Sequence, residues 1–379
     1  MKRLFVLGAV ALMLFEFANV YFIMPLPGSQ RAPSIGIAYT LYQWRWPIRA
    51  VCLTLALAGV PAALGVTGRE RWVAPVVALV TAVVVYVTNF VMAADHMFLA
   101  PTRLVMAPPA QSKVPMDRLV VGVQLQGEAR AYPLRFIGYH HQVRDTVGGQ
   151  EVLVSYCTVC RTGRVFSPVV GGVSQRFRLV GMDHWNAMFE DAATGSWWRQ
   201  ANGEAIQGPR AGQRLSELPS MQVTLRQWLA MHPTSLVMQG DPVFAKKYKP
   251  DNSYEDGSSR ADLTGTDTAS WHDKSWVVGI TRNGASTAYD WNRLKRERAI
   301  NDEVGGVPIV LVLAADNASF MAYERPAGVR FVVQGDSLSA PSGSYGLNGV
   351  GPQGRLTTVP ASQEFWHSWR TFQPSTKKY

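Results

Sequence analysis

Cysteine is scarce: the 379 residues hold three. One of them, Cys52, lies in an apolar stretch, which leaves one place for two-thiol chemistry, Cys157 and Cys160. There is no Lys/Arg-rich run either. The net charge is +10, but the basic residues are scattered. That excludes the clustered basic footprint of a nucleic-acid binder and fits attraction to an anionic membrane surface. No small-x-small cleavage site follows the first apolar run, so a removable leader is not expected there. After about Ala100, helical stretches are few and short.

What is present is unevenly spread. The hydrophobic fraction is 47%. Leu4–Met24, Ile48–Val66 and Val73–Phe90 are each near the length that crosses a bilayer. Residues 1–100 therefore read as a membrane domain of three transmembrane helices. Lys2-Arg3 and the Arg69/Arg71 turn mark the cytoplasmic side. Three spans from an inside N-terminus place the rest in the periplasm or cell exterior, anchored in the bacterial inner membrane. Glu16 falls inside the first span, where a carboxylate is a functional candidate.

The remainder contains a repeat. Val120-Val121-Gly122-Val123, Gly127, Ala131-Tyr132, Asp145 and Val147-Gly148-Gly149 return as Val277-Val278-Gly279-Ile280, Gly284, Ala288-Tyr289, Asp302 and Val304-Gly305-Gly306. Val121 and Val278 are 157 positions apart, as are Gly149 and Gly306. Trp228 and Trp369 close the two copies at a spacing of 141. The expected layout is a first unit over 110–238, a connection over 239–276, and a second, degenerate unit over 277–379. Strand alternation and Gly turns make this region mainly β (α+β), two homologous β-rich units after the three spans. The Gly pairs suit positive-φ hairpin turns. Asp145, present in both copies, reads as a fold residue.

The chemically capable residues sit in the first copy alone. Cys157, Cys160 and His140 correspond to Ala314, Asn317 and Glu297 in the second. Two thiols at this spacing share a metal ion or close a disulfide. Thr162-Gly163-Arg164-Val165-Phe166 alternates like a strand, so the pair is expected in a turn between strands and not at a helix start. The candidate metal ligands are Cys157, Cys160, His140 and His184, supported by His141, Met182 and Asp183. Thiolate, imidazole and thioether favour copper over zinc, and either over hard cations. Three functions follow: soft-metal handling or redox, thiol–disulfide exchange, and a binding module with a structural cysteine pair. The membrane is the expected partner, with a periplasmic protein or metal donor as a further one and no nucleic acid.

Gly127-Glu128-Ala129-Arg130-Ala131-Tyr132-Pro133-Leu134, His140, Asp145-Thr146-Val147-Gly148-Gly149 and Tyr156-Cys157-Thr158-Val159-Cys160 resemble the bacterial family of domain of unknown function 3179. So does Thr194-Gly195-Ser196-Trp197-Trp198-Arg199-Gln200, followed by Gly203-Glu204-Ala205-Ile206 and Gly208-Pro209. The resemblance runs from Val120 to the C-terminus. It implies a domain and no activity. The family usually carries Gly after the second Cys and Asn before the Asp; here these are Arg161 and Arg144.

Overall fold

A computed structural model describes residues 2–341 and 343–379. The chain forms two compact units. The first comprises the segment through Leu99 together with Phe177–Trp198 and Ala205–Ala211. Its helices Lys2–Tyr21, Arg45–Leu64 and Gly68–Val91 are long and apolar enough to cross a membrane. Leu57 and Leu79 are 68% and 66% exposed on them. Such a face is costly in water and matched to lipid. Gly8 and Gly59 let the first two of these helices touch. A Cβ at Gly8 would overlap Ala56 and Cys52, and one at Gly59 would overlap the Phe5 backbone.

Glu16 is 1% exposed in this bundle. Arg49 donates to both of its oxygens at 2.6 and 2.9 Å. Asn89 Nδ2 donates to Oε2 at 2.9 Å, while its Oδ1 accepts from Arg49 at 2.6 Å. This buried carboxylate is thus part of a polar triad with Arg49 and Asn89. The same unit holds the strands Phe177–Asp183, Asn186–Asp191 and Ala205–Gln207 and the first two residues of Trp197–Arg199, a sheet in which Trp197–Arg199 pairs with Ala205–Gln207. Trp197, fully buried, packs on Tyr39 and Tyr42 of the Ile35–Gln43 helix.

The second unit is β-rich with short helices. Its first half runs β1 (Val105–Ala107), β2 (Leu119–Leu125), β3 (Glu128–Pro133), a helix over Leu134–His140, β4 (Gln142–Val147), β5 (Gln150–Cys157) and β6 (Thr162–Phe166). β4, β5 and β6 form one antiparallel sheet. β2 lies between β3 and Met221–Thr224, and Leu236–Gln239 adds parallel to β3.

The second half orders its elements alike. Trp276–Arg282, Ala285–Asp290, the helix Trp291–Glu297, Ala299–Val304, Val307–Leu313 and Phe320–Glu324 follow one another. Ala361–Phe365 pairs antiparallel with Trp276–Arg282, and Lys377–Lys378 adds parallel to Ala285–Asp290. The shared residues explain why. A Cβ at Gly122 would overlap the Trp228 ring, and one at Gly279 would overlap Trp369. Tyr132 donates to Asp145 at 2.7 Å and Tyr289 to Asp302 at 2.9 Å. Gly148 and Gly305 adopt φ of 55° and 57°, the left-handed region that a side chain resists.

Two local features carry little signal in the sequence. The helices Leu134–His140 and Trp291–Glu297 are too short for a helical period to emerge. The Gly171-Gly172 turn joins only Val169–Val170 and Val173–Ser174. The longer flanking strands pair elsewhere, β6 with β5 and Phe177–Asp183 with Asn186–Asp191.

Candidate functional site

Cys157 ends β5 opposite Thr162, the first residue of β6. Thr158–Arg161 is the turn between them, so the pair stands at a strand–turn–strand junction. Both sulfur-bearing side chains are fully buried. The Cys160 thiol faces the side chains of Cys157 and Ser368. Burial pushes that thiol well above its ordinary value, and the adjacent Cys157 and Glu364 push it further.

Arg161 closes the turn at φ 57°. This left-handed backbone favours glycine, since a Cβ costs about 1–2 kcal/mol there. Arg161 offsets that cost with its side chain. Nε donates to Gln363 Oε1 at 2.8 Å, Nη1 to Tyr254 O at 2.6 Å and Nη2 to Glu255 O at 2.9 Å. Charge-assisted bonds contribute roughly 1.5–3 kcal/mol each, so three of them outweigh the strain. The guanidinium also stacks 3.7 Å over the Trp276 ring.

The turn is held from three further sides. Tyr254 donates its hydroxyl to Thr158 O at 3.1 Å and lies 3.1 Å from the Tyr156 hydroxyl. Lys274 Nζ donates to Val159 O at 3.0 Å and to Leu263 O at 2.6 Å. Phe365 N donates to Cys160 O at 2.9 Å. The connection between the halves is therefore packed on the cysteine turn. Burial pushes the Lys274 ammonium below its usual range, and the Cys160 and Cys157 sulfurs counter that. His367 bonds the Val159 backbone, sits 3.4 Å from Lys274 Nζ, and is lowered to about 4, chiefly by burial. It is neutral at pH 7 and accepts from Lys274.

Behind Ser368 lies a charged layer. Ser368 donates to Glu364 Oε2 at 2.9 Å, and Arg164 Nη2 donates to Glu364 Oε1 at 2.8 Å. Arg164 also reaches Glu217 at 2.9 Å. Glu364 is buried but hydrogen-bonded and paired, as a buried carboxylate requires.

His140 ends its helix with Nε2 2.7 Å from the Tyr248 hydroxyl, among the rings of Tyr139, Phe244 and Tyr248. That helix borders the turn: a Cβ at Gly138 would stand 3.1 Å from Thr158. His141 is buried and lowered to about 4 by desolvation, with Nδ1 3.2 Å from Tyr139 O. His184, Met182 and Asp183 belong to the first unit, where His184 Nδ1 lies 2.5 Å from Asp183 Oδ1. Among the described residues, no group of three or more His, Cys, Asp and Glu side chains is arranged to hold a metal. Trp197 and Trp198 are core residues, bonded to Glu190 and Asp191.

The family described as "Protein of unknown function (DUF3179)" matches residues 100–376. The chain belongs to that family. The matched span contains the cysteine turn and all of its second-half neighbours. No curated protein and no solved structure matches the chain. Within the DUF3179 region, sequence reasoning missed Lys274, Glu364, His367 and Ser368. None belongs to a motif with the cysteines; they reach the turn only through the packing of the two halves.

Proposed function

We propose that this chain is a membrane-anchored protein whose DUF3179 region faces the periplasm or cell exterior and handles copper(I) at Cys157 and Cys160. The observation that carries the reading is the contact between the two buried thiols in one turn. Two soft donors suit a monovalent copper ion, which takes linear two-sulfur coordination, while structural zinc takes four ligands. Charge favours the same ion. Two thiolates and one copper(I) leave a single negative charge beside the Lys274 ammonium. The reading rests on the two sulfurs alone; His140 Nε2 lies 2.7 Å from the Tyr248 hydroxyl and His184 Nδ1 2.5 Å from Asp183 Oδ1.

The alternative is thiol–disulfide exchange. The same thiol contact favours it: two electrons and two protons pass to a disulfide partner as the Cys157–Cys160 bond forms. Elemental analysis of the purified full chain, paired with thiol titration, separates the readings. Copper with both thiols protected supports the first. Metal-free protein whose thiols appear only after reduction supports the second.

We read 110–238 and 277–379 as two homologous units. The recurring element order, the Gly–Trp contacts and the Tyr–Asp bonds support this. In that reading the second unit is the wall against which the cysteine turn is held.

A further inference from the structure

The second half of the DUF3179 region carries a cavity of its own. It measures about 240 Å³ and is lined by Asp256, Asp267, Trp276, Trp291, Asn292 and Asn317, with Lys295 at its side. Asn317 stands 157 positions after Cys160, in the turn following the strand Val307–Leu313. The second half therefore has an open polar pocket at the turn where the first half has its thiols.

The lining fits one kind of ligand. Trp276 and Trp291 meet edge to face with ring centroids 5.7 Å apart. Trp276 gives one face to Arg161 and its Nε1–H to Thr266. What it offers the pocket is thus apolar carbon. Asn292 donates Nδ2 to Thr268 O and Ser270 Oγ, which leaves its carbonyl as an acceptor. Asn317 accepts from Arg298 through Oδ1, which leaves its Nδ2 as a donor. Asp256 and Asp267 add acceptors and Lys295 adds donors. Two carboxylates against one ammonium disfavour a phosphate or carboxylate ligand. The volume is below the roughly 300–1,000 Å³ of sites for drug-sized molecules, so it admits a single ring.

We infer that this pocket binds one uncharged saccharide unit. Its C–H face lies on the indoles, and its hydroxyls bond Asn292, Asn317, Asp267 and Lys295. Aromatic surface combined with a few convergent polar groups is the general form of a small-molecule site. The inference stands apart from the cysteine chemistry and uses none of it.

Calorimetric titration of the full chain, purified in a polyoxyethylene detergent free of sugar, tests it. N-acetylglucosamine, glucose and galactose are the probes, with inorganic phosphate beside them. Saturable heat is expected with at least one sugar. Asn292→Ala and the cavity-filling Thr268→Phe, both on the pocket wall, should each weaken it tenfold or more while the melting temperature holds. No sugar heat up to about 50 mM, a range that covers millimolar Kd values, overturns the inference. So does binding that both variants leave intact, or saturation by phosphate instead.

Discussion

The Arg161 guanidinium lies 3.7 Å over the ring of Trp276. The first of these residues closes the cysteine turn and the second opens the strand Trp276–Arg282. Arg161 occupies a left-handed position, so its side chain and backbone pull in opposite directions. Removing the side chain leaves Tyr254 O, Glu255 O and Gln363 Oε1 without this donor. Arg161→Ala should cost about 2–4 kcal/mol. Arg161→Gly should cost about 1 kcal/mol less, because it relieves the strain that alanine keeps. Melting temperatures of the purified chain, ordered wild type, Gly, Ala, check this. Alanine melting above glycine contradicts it.

Gly122 and Gly279 should respond alike to alanine. Each faces a tryptophan ring that cannot retreat, Trp228 and Trp369, both nearly fully buried. Overpacking of this kind costs about 1–3 kcal/mol. Neither glycine lies at a positive φ, so the loss reports the ring overlap alone. Thermal denaturation should show large, similar losses at Gly122 and Gly279. A loss at only one would break the parallel between the two halves.

Asp241 ties β1's approach to the exit of Leu236–Gln239. Its carboxylate accepts from Thr102 Oγ1 at 2.6 Å, Thr102 N at 2.8 Å, Val243 N at 3.1 Å and Arg103 N at 3.4 Å. The Thr102 hydroxyl is the largest cause that holds the acid at about 2, below its ordinary 3.8. The folded value is the lower one. The stabilisation is therefore present above about pH 4 and is lost as pH falls toward 2. The melting-temperature gap between wild type and Asp241→Asn should shrink across that window. A constant gap from pH 5 to pH 2 contradicts the assignment.

Glu16 and Arg49 form a buried pair at 2.6 Å within the helical bundle. Arg49→Ala strands the carboxylate and should cost about 3–5 kcal/mol. Replacing both, Glu16→Leu with Arg49→Met, should recover most of that loss, since removing both charges removes the desolvation debt. Thermal unfolding in detergent reads the difference. A double variant no better than Arg49→Ala would mean the pair acts through shape and not charge.

Legibility in the sequence followed what each feature depends on. The Gly-Gly turns could be read because positive φ selects glycine at a fixed place, and Gly148 and Gly305 adopt it. The cysteine turn could be read because β6 alternates. Arg161 could not, because its left-handed backbone is carried by contacts from Tyr254, Glu255 and Gln363, far along the chain. The Leu134–His140 helix was hidden by its seven-residue length. Lys274, Ser368 and Glu364 carry no local signal. Only the packing of the second half on the first brings them to the thiols.

The copper content of the full chain tests the central claim most directly. The protein is reduced, loaded anaerobically with copper(I) and desalted, and Cys157→Ser/Cys160→Ser is treated in parallel. About one copper ion per chain, held by two soft sulfur donors, is expected in the wild type, and none in the double variant. Copper-free wild-type protein with both thiols still titrating, or equal copper in the two proteins, would contradict it.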